Sequence, residues 1–92
     1  MGKEKISNLE LPDVIDLNSG VIKKLILYNS HHFFSEVILQ LHKATGFDLQ
    51  HCEQIALIAH YKGKAIVKSA PVEELKRIDA VLKEIGLITA IE

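Results

Sequence analysis

The sequence predicts an α+β domain in which a small three-stranded antiparallel sheet is covered by three helices, in the order β-α-α-β-α-β. Two observations favour this fold class. Short apolar runs typical of strands alternate with stretches whose apolar residues recur at the spacing of one helical face. Glycine or proline stands near most changes from one pattern to the other. Because a chain of 92 residues can supply only one hydrophobic core, these elements should pack into one domain.

The first strand and the first helix follow each other closely. An apolar run at Ile22–Tyr28, after the turn-like residues 18–20, predicts a strand. The next apolar residues have the i, i+3, i+4, i+7 spacing of an amphipathic helix, namely Phe34, Val37, Ile38 and Leu41. Gly46 is well placed to end this helix.

A second helix is predicted over residues 49–61. Asp48 should cap it, because an aspartate side chain can accept hydrogen bonds from the free backbone N–H groups of the first turn. The side expected to be buried carries Cys52, Ile55, Ala56 and Ala59. A turn at residues 62–64 then leads into a second strand, predicted over residues 65–68.

The third helix is predicted to begin at residues 69–71, since Pro71 has the backbone angle that suits a first helical turn. Its core face should carry Leu75, Ile78, Leu82 and Ile85. Gly86 is expected to end it, and residues 87–91 to form the last strand. The first part of the chain has no sustained period, so residues 1–20 are predicted to be a mobile extension and residues 21–92 the folded core.

Composition and charge exclude several functions. The formal net charge is −1, which provides no basic field to attract nucleic acid or an anionic membrane. No apolar run approaches the roughly 18 residues that span a bilayer, and the charged N-terminus is unlike a signal peptide. Cys52 is the single cysteine, so an internal disulfide is impossible. These features favour a cytoplasmic location, with neither nucleic acid nor membrane as a partner.

No catalytic residue, metal ligand or cofactor is predicted. Cys52 stands among apolar neighbours and is interpreted as a core residue. The five histidines leave one alternative open, a small metal-dependent enzyme, although they have no zinc-site spacing. They are His31, His32, His42, His51 and His60.

Residues 59–67 are Ala-His-Tyr-Lys-Gly-Lys-Ala-Ile-Val, a helix end, a turn and the start of a strand. Together with residues 25–29, residues 34–41 and Gly86-Leu87, they resemble the ClpS family of Clp protease adaptors. Residues 59–67 are similar to the family's VH-x-x-G-x-A motif, and residues 25–29 to its strand that ends in asparagine. Residues 34–41 are similar to the amphipathic helix that follows, and Gly86-Leu87 to the opening of the last strand. The resemblance covers about residues 22–92. The C-terminal domain of the ribosomal stalk protein shares the general fold, so fold alone does not determine function.

The resemblance implies a non-enzymatic adaptor that docks on the N-terminal domain of a Clp AAA+ ATPase and delivers substrates carrying an N-degron. In the family, a pocket between the first two helices takes a bulky N-terminal side chain, and polar residues hold the free α-amino group. Asn29 and His60 stand at the amine-binding positions. The pocket-lining positions carry Phe34, Val37, Ala56, Ala59 and Leu87. Glu73 and Lys76 are candidates for the docking surface.

The sequence departs from the family in the loop after the first strand. Where the family has Asn-Asp-Asp, this chain has Asn-Ser-His-His at residues 29–32. Ser30 can accept a hydrogen bond from an ammonium group but brings no charge, and a missing charge-assisted bond costs roughly 1.5–3 kcal/mol. The sequence therefore leaves an alternative open: a diverged ClpS-like domain that binds the ATPase or another protein without recognising N-degrons.

Overall fold

The computed structural model describes residues 20–92 and confirms the predicted fold class. Apart from Gly20, the predicted mobile extension lies outside the described residues. The elements are β1 (Ile22–Tyr28), α1 (Phe34–Thr45), α2 (Leu49–Lys62), β2 (Lys64–Pro71), α3 (Val72–Leu82), a 3₁₀ helix (Lys83–Ile85) and β3 (Thr89–Ile91). None of the helices in this part of the chain is long and apolar enough to cross a membrane.

The sheet has the strand order β2-β1-β3, with both neighbours antiparallel to the central strand β1. Strand β2 contains a bulge, because Leu25 pairs with Lys68 whereas the next residue, Ile26, pairs with Ile66. The extra residue changes which positions point towards the helices. Val67 is the extra residue; the buried positions on β2 are Ala65 before it, Val67 itself and Ala70 after it. The strand continues beyond the predicted end at residue 68, because residues 69–71 pair with the first residues of β1.

The core lies between the sheet and the three helices. Helix α1 packs on α2 and α3, and α2 and α3 pack on the strands. The largest fully buried side chains are Leu25, Leu27, Leu41, Cys52, Leu75 and Leu82. Burial raises the pKa of the Cys52 thiol, and its Sγ lies 3.6 Å from the Phe47 carbonyl oxygen. This environment agrees with the interpretation of Cys52 as a core residue.

The helix ends follow the capping signals of the sequence. The Asp48 side chain accepts a hydrogen bond of 2.8 Å from the His51 backbone N–H, and such caps contribute about 1 kcal/mol. Gly46 and Gly63 end α1 and α2 with φ of 78° and 89°, in the left-handed region that favours glycine. The predicted ends of these helices are therefore correct to within a residue.

The C-terminal part differs in detail from the prediction. Pro71 is the N-cap of α3 and also the last residue of β2. The last strand begins at Thr89, whereas residue 87 was predicted as its start. Leu87 is 3% exposed and belongs to the core, with its backbone N–H directed to the Leu82 carbonyl at the end of α3. The backbone of Leu87 therefore belongs to the turn that ends α3, and it does not pair with β1.

Candidate functional site

A cavity of about 440 Å³ opens beside the end of β1, a size typical of small-ligand sites. Its lining comes from the end of β1, the loop that follows, the first turn of α1 and the C-terminal half of α2. The lining residues are Tyr28, Asn29, Ser30, His31, His32, Phe34, Val37, Ala56, Leu57, Ala59, His60 and Tyr61.

The backbone brings the end of β1 next to the C-terminal end of α2. Tyr28 pairs with Lys64 across the sheet, and the Asn29 backbone N–H donates to the Gly63 carbonyl at 2.9 Å. Gly63 in turn donates its N–H to the Ala59 carbonyl at 3.0 Å and closes the helix. Asn29 and His60 are 31 positions apart in the sequence (29 to 60), yet both line the cavity. We call Asn29, Ser30 and His60 the polar wall.

Four apolar residues on two helices line another part of the cavity, and we call them the apolar wall. They are Phe34, Val37, Ala56 and Ala59. In each helix the two residues are three positions apart and so lie on the same face. Ala56 and Ala59 are each 4% exposed, whereas Phe34 is 39% exposed. Two small side chains on α2 leave space in front of Phe34 for an apolar group of a ligand.

Hydrogen bonds hold the loop between β1 and α1. The Asn29 Oδ1 atom accepts from the Ser30 backbone N–H at 3.0 Å. The Ser30 Oγ atom lies 2.8 Å from Nδ1 of His32, and Nε2 of His32 lies 2.5 Å from the Ile85 carbonyl oxygen. The loop is thus tied to the 3₁₀ helix at the other end of the chain.

Within residues 20–92, no acidic side chain lines the cavity. Glu36 is the nearest acid in sequence, but its Oε1 accepts from the Phe33 backbone N–H at 3.0 Å and so caps α1. The polar wall therefore offers the Asn29 amide, the Ser30 hydroxyl and the His60 imidazole as candidate acceptors, and no carboxylate. Such a wall can hold an amine or another donor group by hydrogen bonds without a counter-charge.

The structure brings together seven of the eight pocket residues named from the sequence, since all except Leu87 line the cavity. Leu87 is a core residue by its burial. Glu73 and Lys76 are exposed on α3, outside the cavity lining. The additional lining residues are Tyr28, His31, His32, Leu57 and Tyr61. Most of them are next in sequence to a pocket residue predicted from the resemblance, and no other feature of the sequence indicated that they line the cavity.

The histidines do not form a metal site in the described part of the chain. Within residues 20–92, no group of three or more His, Cys, Asp or Glu side chains is arranged to hold a metal ion. His42 Nδ1 lies 2.6 Å from the Phe47 carbonyl oxygen, and His51 stacks on the Phe47 ring with centroids 4.2 Å apart. These two histidines therefore have local structural contacts.

The β-α-α-β-α-β fold and the cavity together define a small domain with a candidate ligand site. The sequence model of the family described as ATP-dependent Clp protease adaptor protein ClpS matches residues 23–85. The chain belongs to this family, whose members are adaptors without catalytic activity of their own.

A solved structure supports the fold independently. The chain is similar to Agrobacterium tumefaciens ClpS2, solved with bound L-phenylalaninamide, with a TM-score of 0.72 and 17% sequence identity. The match covers 77% of this chain and 94% of that one. Among curated protein sequences no match is found.

Proposed function

We propose that this chain docks on a Clp AAA+ unfoldase and presents proteins to it by holding a bulky N-terminal residue in the cavity. The observation that carries the proposal is the meeting of the apolar wall with the neutral acceptors of the polar wall in one cavity. An N-terminal residue with a large apolar side chain needs both features, because it joins an apolar group to an ammonium group. The adaptor would do no chemistry; it raises the local concentration of substrate at the ATPase.

The ligand of the Agrobacterium relative supports this choice of substrate. L-phenylalaninamide has a benzyl side chain, a free α-amine and an amide where a peptide would continue, so it imitates the first residue of a polypeptide. In this chain, Phe34 and Val37 would contact the side chain. Asn29, Ser30 and His60 would accept hydrogen bonds from the ammonium group, which has three donors and no acceptor.

The test is a titration with a fluorescent peptide that begins with phenylalanine, compared with the same peptide N-acetylated. We expect the free amine to bind and acetylation to weaken binding by at least about tenfold, since the ammonium group is lost and each hydrogen bond that it donates is worth about 1.5–3 kcal/mol. A peptide that begins with alanine is the control for the side chain. Because Ala56 and Ala59 leave a roomy cavity, peptides beginning with Leu, Trp and Tyr should bind within about tenfold of Phe.

Two results would count against this part of the proposal. Equal binding of the free and acetylated peptides would show that the amine is not recognised. Binding of neither peptide, with retained affinity for the Clp ATPase, would favour the alternative of a diverged domain that binds the ATPase without N-degrons.

We propose the exposed start of α3 as part of the docking surface. Glu73 and Lys76 lie one turn apart there, outside the cavity lining, so their replacement should leave peptide binding unchanged. We expect Glu73→Lys combined with Lys76→Glu to weaken binding to the N-terminal domain of a Clp ATPase by about 3- to 10-fold, because both charges are reversed at the edge of the proposed interface. Glu53→Lys, an exposed charge change on α2, is the matched control. Equal affinity of both variants for the ATPase domain would place docking elsewhere.

A further inference from the structure

His32 contacts two groups that belong to distant parts of the chain. Its Nε2 lies 2.5 Å from the Ile85 carbonyl oxygen, and its Nδ1 lies 2.8 Å from the Ser30 hydroxyl oxygen. Both His32 and Ser30 line the cavity. The side chain therefore connects the cavity with the end of the 3₁₀ helix.

The carbonyl contact determines which ring nitrogen carries the proton. A carbonyl oxygen can only accept, so Nε2 of His32 must be the donor in the bond to Ile85. A neutral imidazole has one N–H, which leaves a lone pair on Nδ1. In the neutral ring, the close contact at Nδ1 is therefore a hydrogen bond donated by the Ser30 hydroxyl. The Ser30 oxygen keeps its lone pairs and loses its one donor to His32.

We propose that His32 is a positioning residue that makes Ser30 an acceptor for the α-ammonium group of the ligand. This inference rests on the proposed function, since it assigns a role in amine recognition. A hydroxyl that donates to an imidazole is polarised, and its oxygen becomes a better acceptor through cooperativity along the hydrogen-bond chain. With the opposite tautomer, Nδ1–H would donate to Ser30 and leave the serine hydroxyl free to point its hydrogen at the ammonium group.

Contacts with α1 position the segment that carries the Ile85 carbonyl. Ile85 is the last residue of the 3₁₀ helix, and Gly86 follows it in the left-handed region. On the same segment, Gln40 of α1 donates to the Val81 carbonyl at 2.6 Å, and Lys43 forms an ion pair of 2.8 Å with Glu84. These contacts fix the end of α3 against α1, the helix that begins directly after the loop.

Two substitutions separate the two contacts of His32. Glutamine at position 32 places an amide N–H near the position of Nε2 and can keep the bond to Ile85, but it has no acceptor at the position of Nδ1. Asparagine places an oxygen near the position of Nδ1 and can keep the acceptor for Ser30, but it does not reach Ile85. His32→Gln should keep thermal stability and weaken binding of the free-amine Phe peptide by about 2- to 5-fold. His32→Asn should lower thermal stability and keep most of the preference for the free amine over the acetylated peptide.

A double-mutant cycle with Ser30→Ala tests whether the two residues act together. Ser30→Ala alone should weaken binding of the free-amine peptide by about 3- to 10-fold. Because His32 acts through Ser30, Ser30→Ala combined with His32→Gln should bind no more weakly than Ser30→Ala, within about twofold. Additive losses, or a His32→Gln variant that binds as tightly as the unmodified protein, would overturn the inference.

The ring tautomer is measured directly by the ¹⁵N chemical shifts of His32 in the peptide-free protein. We expect a protonated Nε2 and a hydrogen-bonded, unprotonated Nδ1, with a shift of the Nδ1 resonance in Ser30→Ala. A merely structural role of His32 would leave the effects of His32→Gln and Ser30→Ala on peptide binding uncoupled in the double-mutant cycle. An Nδ1–H tautomer with peptide binding intact would overturn this inference alone, whereas failure of the unmodified protein to bind either peptide would overturn the proposed function as well.

Discussion

Replacement of Ser30 by aspartate should tighten binding of a peptide with a free N-terminal phenylalanine by about one to two decades. Ser30 lines the cavity, and within residues 20–92 no acidic side chain does. A carboxylate at this position would replace the neutral hydroxyl acceptor proposed for the ligand ammonium by a charged one, and we expect this change to be worth about 1.5–3 kcal/mol. The resemblance of residues 29–32 to the Asn-Asp-Asp motif also implies an acid after Asn29. Ser30→Asp is therefore the single substitution with the largest expected effect on ligand affinity.

Charge and shape are separated by the variant Ser30→Asn, which has nearly the same size as the aspartate but no charge. It should bind the free-amine peptide within about threefold of the unmodified protein. The acetylated peptide should gain nothing from Ser30→Asp, and the gain for the free amine should shrink as salt is raised. The titrations are best made at about pH 7.5, where histidine is ordinarily neutral and the α-amine of a peptide is still largely protonated.

The result would also locate the amine. Equal tightening of the free and acetylated peptides would mean that the acid acts on some other group, and no tightening would mean that Ser30 does not face the ammonium. Either outcome contradicts the proposed arrangement of the polar wall. A selective gain would place the ammonium within reach of position 30 and would show that the missing charge limits the affinity.

Local patterns predicted most of the fold because they are set by local physics. The apolar run of β1, the cap at Asp48 and the left-handed glycines at Gly46 and Gly63 each depend on nearby residues only. The end of β2 was missed because the bulge shifts the alternation of buried positions, so the residues after it no longer look like a continuation of the strand. Leu87 was assigned to β3 because it is apolar, yet it is buried by the end of α3.

The candidate site depended on more than local pattern. Periodicity alone marks Phe34, Val37, Ala56 and Ala59 as core, and only the resemblance to the family singled them out as pocket residues. The contact of His32 with Ile85 joins residues that are 53 positions apart, and no local sequence pattern near either residue predicts it. Such a contact follows from how the 3₁₀ helix packs beside the loop, which is a property of the assembled domain.

The largest expected effect on stability comes from Leu41→Ala in α1. Leu41 is fully buried in the core, and truncation of such a leucine costs about 2–5 kcal/mol through lost burial and the cavity left behind. For a domain of this size each kcal/mol lowers Tm by about 4–8 °C, so we expect a decrease of at least about 8 °C. Small domains are stable by only about 5–15 kcal/mol, so this is a large part of the total. Thermal unfolding followed by circular dichroism measures it.

Leu39→Ala in the same helix is the matched control. Leu39 is 60% exposed, so the same truncation should change stability by less than about 0.5 kcal/mol. Leu41 lies one turn after Val37, outside the cavity lining, so its loss should lower stability without abolishing affinity. A ligand that binds only the folded state raises Tm, so the free-amine Phe peptide should stabilise Leu41→Ala and the acetylated peptide should not. If Leu39→Ala destabilised the domain as much as Leu41→Ala, the orientation of α1 against α2 and α3 would be wrong, and with it the position of Phe34 and Val37, the part of the apolar wall that this helix supplies.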